Sequence, residues 1–233
     1  TVVHLSRSLP VSQKGELGRG LKGADVRFSV NGEAVSLAWT DDSIPGVPAQ
    51  SYYAVKTYED GDKVNITAAA EGMKAVSSAT VVPSRFPLTS INFVLKGGEP
   101  NQLQFWIHFT DNAQTKDYYA LKVERKRQFW NDSKYSVENS SLTLNLDDEP
   151  LLNTSSGLDD ILMIENEFYR NLYYWDDTKI QGKSYKVRLN TNYEADYEDD
   201  FITPDGVEHI KCQVKYRISL YSLSEEFYRY LKS

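Results

Sequence analysis

The residues with the most capacity for chemistry lie in one acidic stretch near the C-terminus: Glu194, Asp196, Glu198, Asp199, Asp200 and Asp205. Calcium takes six to eight oxygen ligands, which a carboxylate-rich loop can supply. Asp196, Glu198, Asp199 and Asp200 form the densest set and are the candidate ligands of a structural calcium. The spacing lacks the glycine and terminal glutamate of an EF-hand. The competing reading is a solvated hairpin loop beside the basic strand positions Lys186, Arg188, Lys211 and Lys215. A second set is aromatic: Trp106, Trp130, Tyr173, Tyr174 and Trp175, with Phe168 and Tyr169. Such rings can stack on a sugar or another flat ligand, although aromatic side chains at sheet ends more often belong to a core or its rim.

The remaining reactive side chains are scattered. His4, His108 and His209 stand far apart, and no HExxH, Cys-x-x-Cys or Gly-x-Ser-x-Gly is present. A zinc or catalytic role needs partners that converge in space, so no catalytic residue is assigned. No cofactor is expected beyond that calcium. A net charge of −7 argues against a nucleic-acid partner, which selects for a basic footprint. The Glu124-Arg125-Lys126-Arg127 tetrad reads as a solvated strand end. The single cysteine, Cys212, excludes an internal disulfide, and no apolar run is long enough to span a membrane as a helix.

The elements that must position these residues are mostly strands. Sixteen tyrosines, with many Val and Thr, favour a pleated, half-buried surface. The clearest element runs from Val207 to Leu231. Ile210, Cys212, Val214, Tyr216, Ile218 and Leu220 alternate with Lys211, Gln213, Lys215, Arg217 and Ser219, a period of two that predicts one core face and one wet face. Ser224 followed by Glu225 and Glu226 predicts a helix start, and Phe227, Tyr230 and Leu231 its apolar stripe. Leu103, Phe105, Ile107 and Phe109 alternate in the same way, leaving Trp106 and His108 outward. Tyr119, Leu121 and Val123 give a further core face, and Tyr185, Val187 and Leu189 another.

Before Pro83 the pattern differs. Short strands at roughly ten-residue spacing, with an Asn31-Gly32 hairpin signal, predict an immunoglobulin-like β-sandwich over residues 1–83. Val2–Val11 is expected to be its open first strand. Two prolines in Pro83–Pro87 mark a stiff boundary. Residues 84–233 are then a larger antiparallel β-sandwich or barrel with long loops and a short C-terminal helix. The fold class is mainly β.

Four segments carry a family resemblance: VVHLSRSLPV, DNAQTKDYYALKVER, WDDTKIQGKSYKVRL and the closing VKYRISLYSLSEEFYRYLKS. The chain resembles the Bacteroidota secreted lipoproteins grouped as domain of unknown function 4249. The resemblance implies export to the outer membrane or cell surface of a Gram-negative bacterium. It also implies a lipidated cysteine upstream of residue 1 as the only membrane attachment, and company with TonB-dependent outer-membrane transporters. It carries over no catalytic or ligand residues. The function expected is a non-enzymatic binding or accessory module for such a transporter, with a glycan or peptide ligand. Two alternatives stand beside it: a structural or adhesive subunit that assembles by strand addition at Val2–Val11, and a metal-dependent hydrolase built on the acidic loop. Members of the family run on past the final helix into a Gly-rich segment, whereas this sequence ends at Ser233.

Overall fold

The computed structural model describes residues 1–7, 20–96, 101–131, 134–154, 171–203 and 206–232. The chain divides into two compact units, Thr1–Ser84 and Arg85–Ser233. Among the described residues sixteen strands pair in four sheets, all antiparallel; none closes into a barrel.

The first unit holds β1 (Val2–Val3), β2 (Asp25–Val30), β3 (Glu33–Val35), β4 (Ala38–Thr40), β5 (Ser51–Tyr53), β6 (Lys63–Ala69) and β7 (Val76–Val81). They form two sheets, ordered β1-β5-β4 and β3-β2-β6-β7. The expected Asn31-Gly32 hairpin is present: both residues have positive φ, at 53° and 85°. A turn with two left-handed residues matches the twist of the flanking strands. The segment after that hairpin forms two short strands, β3 and β4, placed in different sheets. Tyr52 ties the unit together, packing edge-on to Trp39 at 4.8 Å and accepting the Ala24 N–H at 2.9 Å through its hydroxyl. Of the first strand expected over Val2–Val11, only Val2–Val3 is paired; residues 8–11 lie outside the described residues.

The second unit is an open sandwich. One sheet is β8 (Leu88–Lys96), β9 (Gln102–Thr110) and β14 (Ser184–Asn192), ordered β14-β9-β8. The other is β12 (Asn153–Thr154), β13 (Tyr173–Asp176), β10 (Tyr118–Asn131), β16 (Gly206–Leu223) and β15 (Tyr197–Thr203), in that order, with β11 (Lys134–Ser141) also paired to β10. Their shared core is built from the alternating positions of each strand: Phe105, Ile107 and Phe109 meet Tyr119, Leu121, Val123 and Trp175. Fully burying one such side chain stabilises the fold by about 1.5–3 kcal/mol.

A second, smaller core covers the opposite face of the large sheet. The helix α1 (Glu225–Lys232) lays Tyr228 and Leu231 on Tyr118, Ala120, Tyr174 and Leu223. Ser224 caps it, its hydroxyl accepting the Phe227 N–H at 3.3 Å. The helix stripe differs from the expected one: Tyr230 is exposed and Tyr228 is buried, because Tyr228 Oη donates to Asp176 Oδ2 at 2.9 Å and turns that side of the helix down.

Candidate functional site

β10 and β16 are far longer than the small sheet that covers them, so their distal halves project with β11 and β15 attached. Cross-strand register there sets four side chains in one row. Tyr135 of β11 stands opposite Trp130 of β10, Trp130 opposite Lys211 of β16, and Lys211 opposite Glu198 of β15. Directly paired residues share a face of the sheet, so the row is continuous. The Trp130 and Tyr135 rings lie 5.4 Å apart at a tilt of 44°, and Lys211 Nζ bonds Glu198 Oε1. Glu198 raises the Lys211 ammonium above its ordinary pKa, chiefly through that hydrogen bond. The next rung on this face pairs His209 Nδ1 with Asp200 Oδ1 at 2.5 Å. On the other side Gln128 Nε2 donates to Tyr135 Oη at 2.6 Å.

A groove of about 650 Å3 runs along these residues, lined by Trp130, Asn131, Glu198, Asp199, Asp200, His209, Ile210 and Lys211. Trp130 remains 37% exposed. Among the described residues, Gln128 Oε1 and Asn131 Oδ1 are buried acceptors that meet no donor. A partly exposed ring flanked by carboxylates and an ammonium suits a ligand with one flat face and several hydroxyl groups. Carboxylates outnumber cations along the groove, which disfavours anionic ligands.

The hairpin that carries this row is anchored by an ionic knot. Arg127 grips Glu194 with two bonds, Nε–Oε1 at 2.7 Å and Nη2–Oε2 at 2.8 Å, and Arg125 Nη1 adds a contact to Oε2 at 2.6 Å. The Arg127 hydrogen bonds hold the Glu194 carboxyl below the usual carboxylate range against the opposing effect of burial. Glu194 also donates its N–H to Tyr216 Oη at 2.9 Å.

A separate acidic cluster sits at one end of the core. Asp111, Asp117 and Asp177 each place a carboxylate oxygen within 4.8 Å of the others, and among the described residues this is the only set of three potential metal ligands so close. The oxygens already accept protein donors. Tyr119 Oη reaches Asp111 Oδ1 at 2.7 Å and Gly182 N–H reaches Oδ2 at 2.9 Å. Asp117 N–H reaches Asp177 Oδ2 at 2.7 Å, and Thr115 Oγ1 reaches Asp117 Oδ2 at 2.6 Å. Burial pushes the Asp177 carboxyl above its ordinary pKa, and the neighbouring charges of Asp111 and Asp117 push the same way. The cluster therefore stitches the β9–β10 loop to the turn after β13, and it could hold a proton or a cation.

The whole chain, residues 1–233, matches the profile of a protein family described as Domain of unknown function (DUF4249). The chain belongs to this family. No curated protein and no solved structure matches it.

In this member of the family the expected site residues are distributed unevenly. The acidic "loop" is in fact mostly β15, because Tyr197–Thr203 pairs along β16. Strand alternation puts Glu198 and Asp200 on one face and Asp199 on the other. Asp196 Oδ1 accepts the Val214 N–H at 2.7 Å, and Asp199 Oδ1 accepts the Asp200 N–H at 2.9 Å. Asp205 lies outside the described residues. Of the aromatic set, Trp130 joins these carboxylates in the groove. Tyr173, Tyr174 and Trp175 are buried within the two cores, away from the Trp130 groove. Trp106 is half-buried, donating from Nε1 to Gln104 Oε1 at 2.6 Å beneath Lys186 Nζ at 4.5 Å from its ring. Phe168 and Tyr169 lie outside the described residues.

Basic positions also redistribute. Lys211 meets the acidic strand as expected, but Arg188 gives its backbone N–H to Glu149 and Lys186 covers Trp106. The tetrad expected to be a solvated strand end supplies Arg125 and Arg127 to Glu194 instead. Glu194 thus leaves the acidic set and serves as an anchor. Sequence reasoning missed Tyr135 and the three core aspartates as members of a site. Only Tyr135 carries a local signal, as an aromatic residue five positions after Trp130 and paired directly with it.

Proposed function

We propose that this protein is a non-enzymatic binding module, exported and lipid-anchored at the cell surface, that serves an outer-membrane transporter of the TonB-dependent class. Its ligand surface is the Trp130 groove, and the ligand class that fits is a neutral glycan. The observation that carries this reading is the convergence of Trp130 and Tyr135 with Glu198, Asp200, His209 and Lys211 on one exposed face of the long hairpins. Stacking of a flat face on Trp130 would supply affinity, about 1–3 kcal/mol by analogy with other ring-stacking contacts. The paired polar groups would exchange their mutual bonds for ligand hydroxyls. The export, anchor and transporter link rest on the family resemblance, and the ligand surface on the geometry.

A glycan and peptide array probed with the wild-type chain and with Trp130→Ala tests the ligand surface. Binding of neutral glycans that falls at least about tenfold in the variant supports it. Binding only to peptides, or glycan binding indifferent to Trp130, overturns it. Co-purification from native membranes tests the transporter link, and a pull-down that recovers no transporter removes that part alone.

A further inference from the structure

β8 is the edge strand of the sheet β14-β9-β8, and among the described residues nothing pairs with its far side. Its core-facing positions continue the buried rows of β9. Ile91 stands opposite Ile107, Phe93 opposite Phe105 and Leu95 opposite Leu103. The β9 partners are almost fully buried, yet Phe93 is 68% exposed, Leu95 52% and Ile91 40%. The apolar face of this sheet is therefore one strand wider than its cover.

Three other strands of the second unit, among the described residues, are guarded. β14 is shielded by the 145–149 segment, through an Asn145–Asn190 bridge and the Glu149 carboxylate on Arg188 N–H. β15 carries Glu198, Asp199 and Asp200, and β11 carries Lys134 and Glu138. β8 reads LTSINFVLK, with no charge before Lys96 and one irregularity between Leu88 and Ser90. A long, uncharged, apolar edge is the kind that natural proteins otherwise blunt.

We propose that β8 is a homodimer interface, in which β8 of a second copy adds antiparallel across a two-fold axis at Asn92 and makes one six-stranded sheet. The strand is self-complementary in that register. Ile91 faces the second copy's Phe93, Asn92 faces its own counterpart, and Ser90 faces Val94. Ile91, Phe93 and Leu95 all stay on the core face, as strand alternation requires. Lys96 falls opposite Leu88 rather than another lysine, so no like charges meet. Leu88, Ile91, Phe93, Val94 and Leu95 are all exposed in the single chain, and each copy brings the same five residues. Backbone pairing along the strand adds to that apolar area, toward the total of about 1,000 Å2 that separates specific interfaces from incidental ones. The self-complementarity and the absence of charge favour a second copy over a foreign strand. The sequence places the open edge at Val2–Val11; β8 is longer than the paired Val2–Val3 and lies in the other unit.

The test is sedimentation of the whole chain by analytical ultracentrifugation through the micromolar range, with two kinds of variant. The wild type is expected to sediment as a dimer. Phe93→Lys, which buries a charge in the interface, is expected to raise the dimer dissociation constant at least about tenfold while circular dichroism stays unchanged. Asn92→Cys places two thiols opposite each other and is expected to cross-link on oxidation, whereas Ser90→Cys is not; Cys212 is buried and does not compete. The cysteine pair decides the matter if the lysine variant fails to fold. A wild type that stays monomeric throughout, or a dimer in which Asn92→Cys and Ser90→Cys cross-link alike, overturns the proposal.

Discussion

Replacing Glu194 by Gln should loosen the hairpin that carries the candidate groove. The carboxylate accepts three charge-assisted bonds, two from Arg127 and one from Arg125. Taken singly such bonds contribute about 1.5–3 kcal/mol each. The arginine side chains are 20% and 30% exposed and the Glu194 side chain 23%, so water recovers part of the loss. Exposed pairs contribute about 0–1 kcal/mol, and breaking a fully buried one costs about 3–5 kcal/mol. An intermediate pair should cost about 2 kcal/mol, between those limits. At roughly 2–4 °C per kcal/mol for a unit of this size, Tm should fall by about 4–8 °C. The pH dependence has a definite sign. Because the folded carboxyl lies below its ordinary value, its stabilisation is present above the unfolded-state pKa and is lost as pH falls through the folded one. Thermal unfolding of wild type and Glu194→Gln should therefore differ at neutral pH and converge in acid. Equal Tm values at neutral pH, or a difference that persists unchanged below the carboxylate range, would refute this account of the knot.

Asp177 should behave in the opposite sense. Its carboxyl is raised by burial and by Asp111 and Asp117, so its contribution is fully present below the unfolded-state pKa and is lost as pH rises through the folded one. Asp177→Asn keeps an acceptor for the Asp117 N–H and removes one charge; denaturant titrations should show it at least as stable as wild type at neutral pH, with a flatter pH profile. Added calcium raising the wild-type Tm but not that of Asp177→Asn would instead identify the cluster as a cation site. Gly182→Ala should cost about 2 kcal/mol or more by urea unfolding. The position has φ of +68°, and the new Cβ would stand 2.7 Å from Ala113 Cβ while displacing the N–H that Asp111 accepts. A neutral effect would show that this turn relaxes freely.

Alternation was legible because it depends only on the period of the strand. The core faces of β9, β10, β14 and β16 follow directly from residues such as Ile107, Leu121, Val187 and Ile218. Ser224 and Glu225 likewise announce a helix from local hydrogen bonding and dipole alone. The candidate site was legible in pieces. Trp130, Glu198 and Asp200 each stand out, but for two different sites, since nothing local says that residues so far apart in the chain share a row. Cross-strand register decides that, through the pairing of Trp130 with Lys211 and of Lys211 with Glu198.

The same division explains what failed. Tyr173, Tyr174 and Trp175 look like a platform in sequence, and β13 buries them because one face meets the main core and the other meets α1. The Arg125–Glu194 and Asp111–Asp117–Asp177 clusters join loops and strands whose meeting is set by the sandwich as a whole. By itself the sequence determined the period, the turns, the helix cap and membership in a family of unknown function. Tertiary structure alone decided which charges neutralise one another, which aromatic ring stays in water and which strand is left at an edge. Those outcomes depend on contacts between distant segments, and the free energy of such contacts is absent from any local stretch of chain.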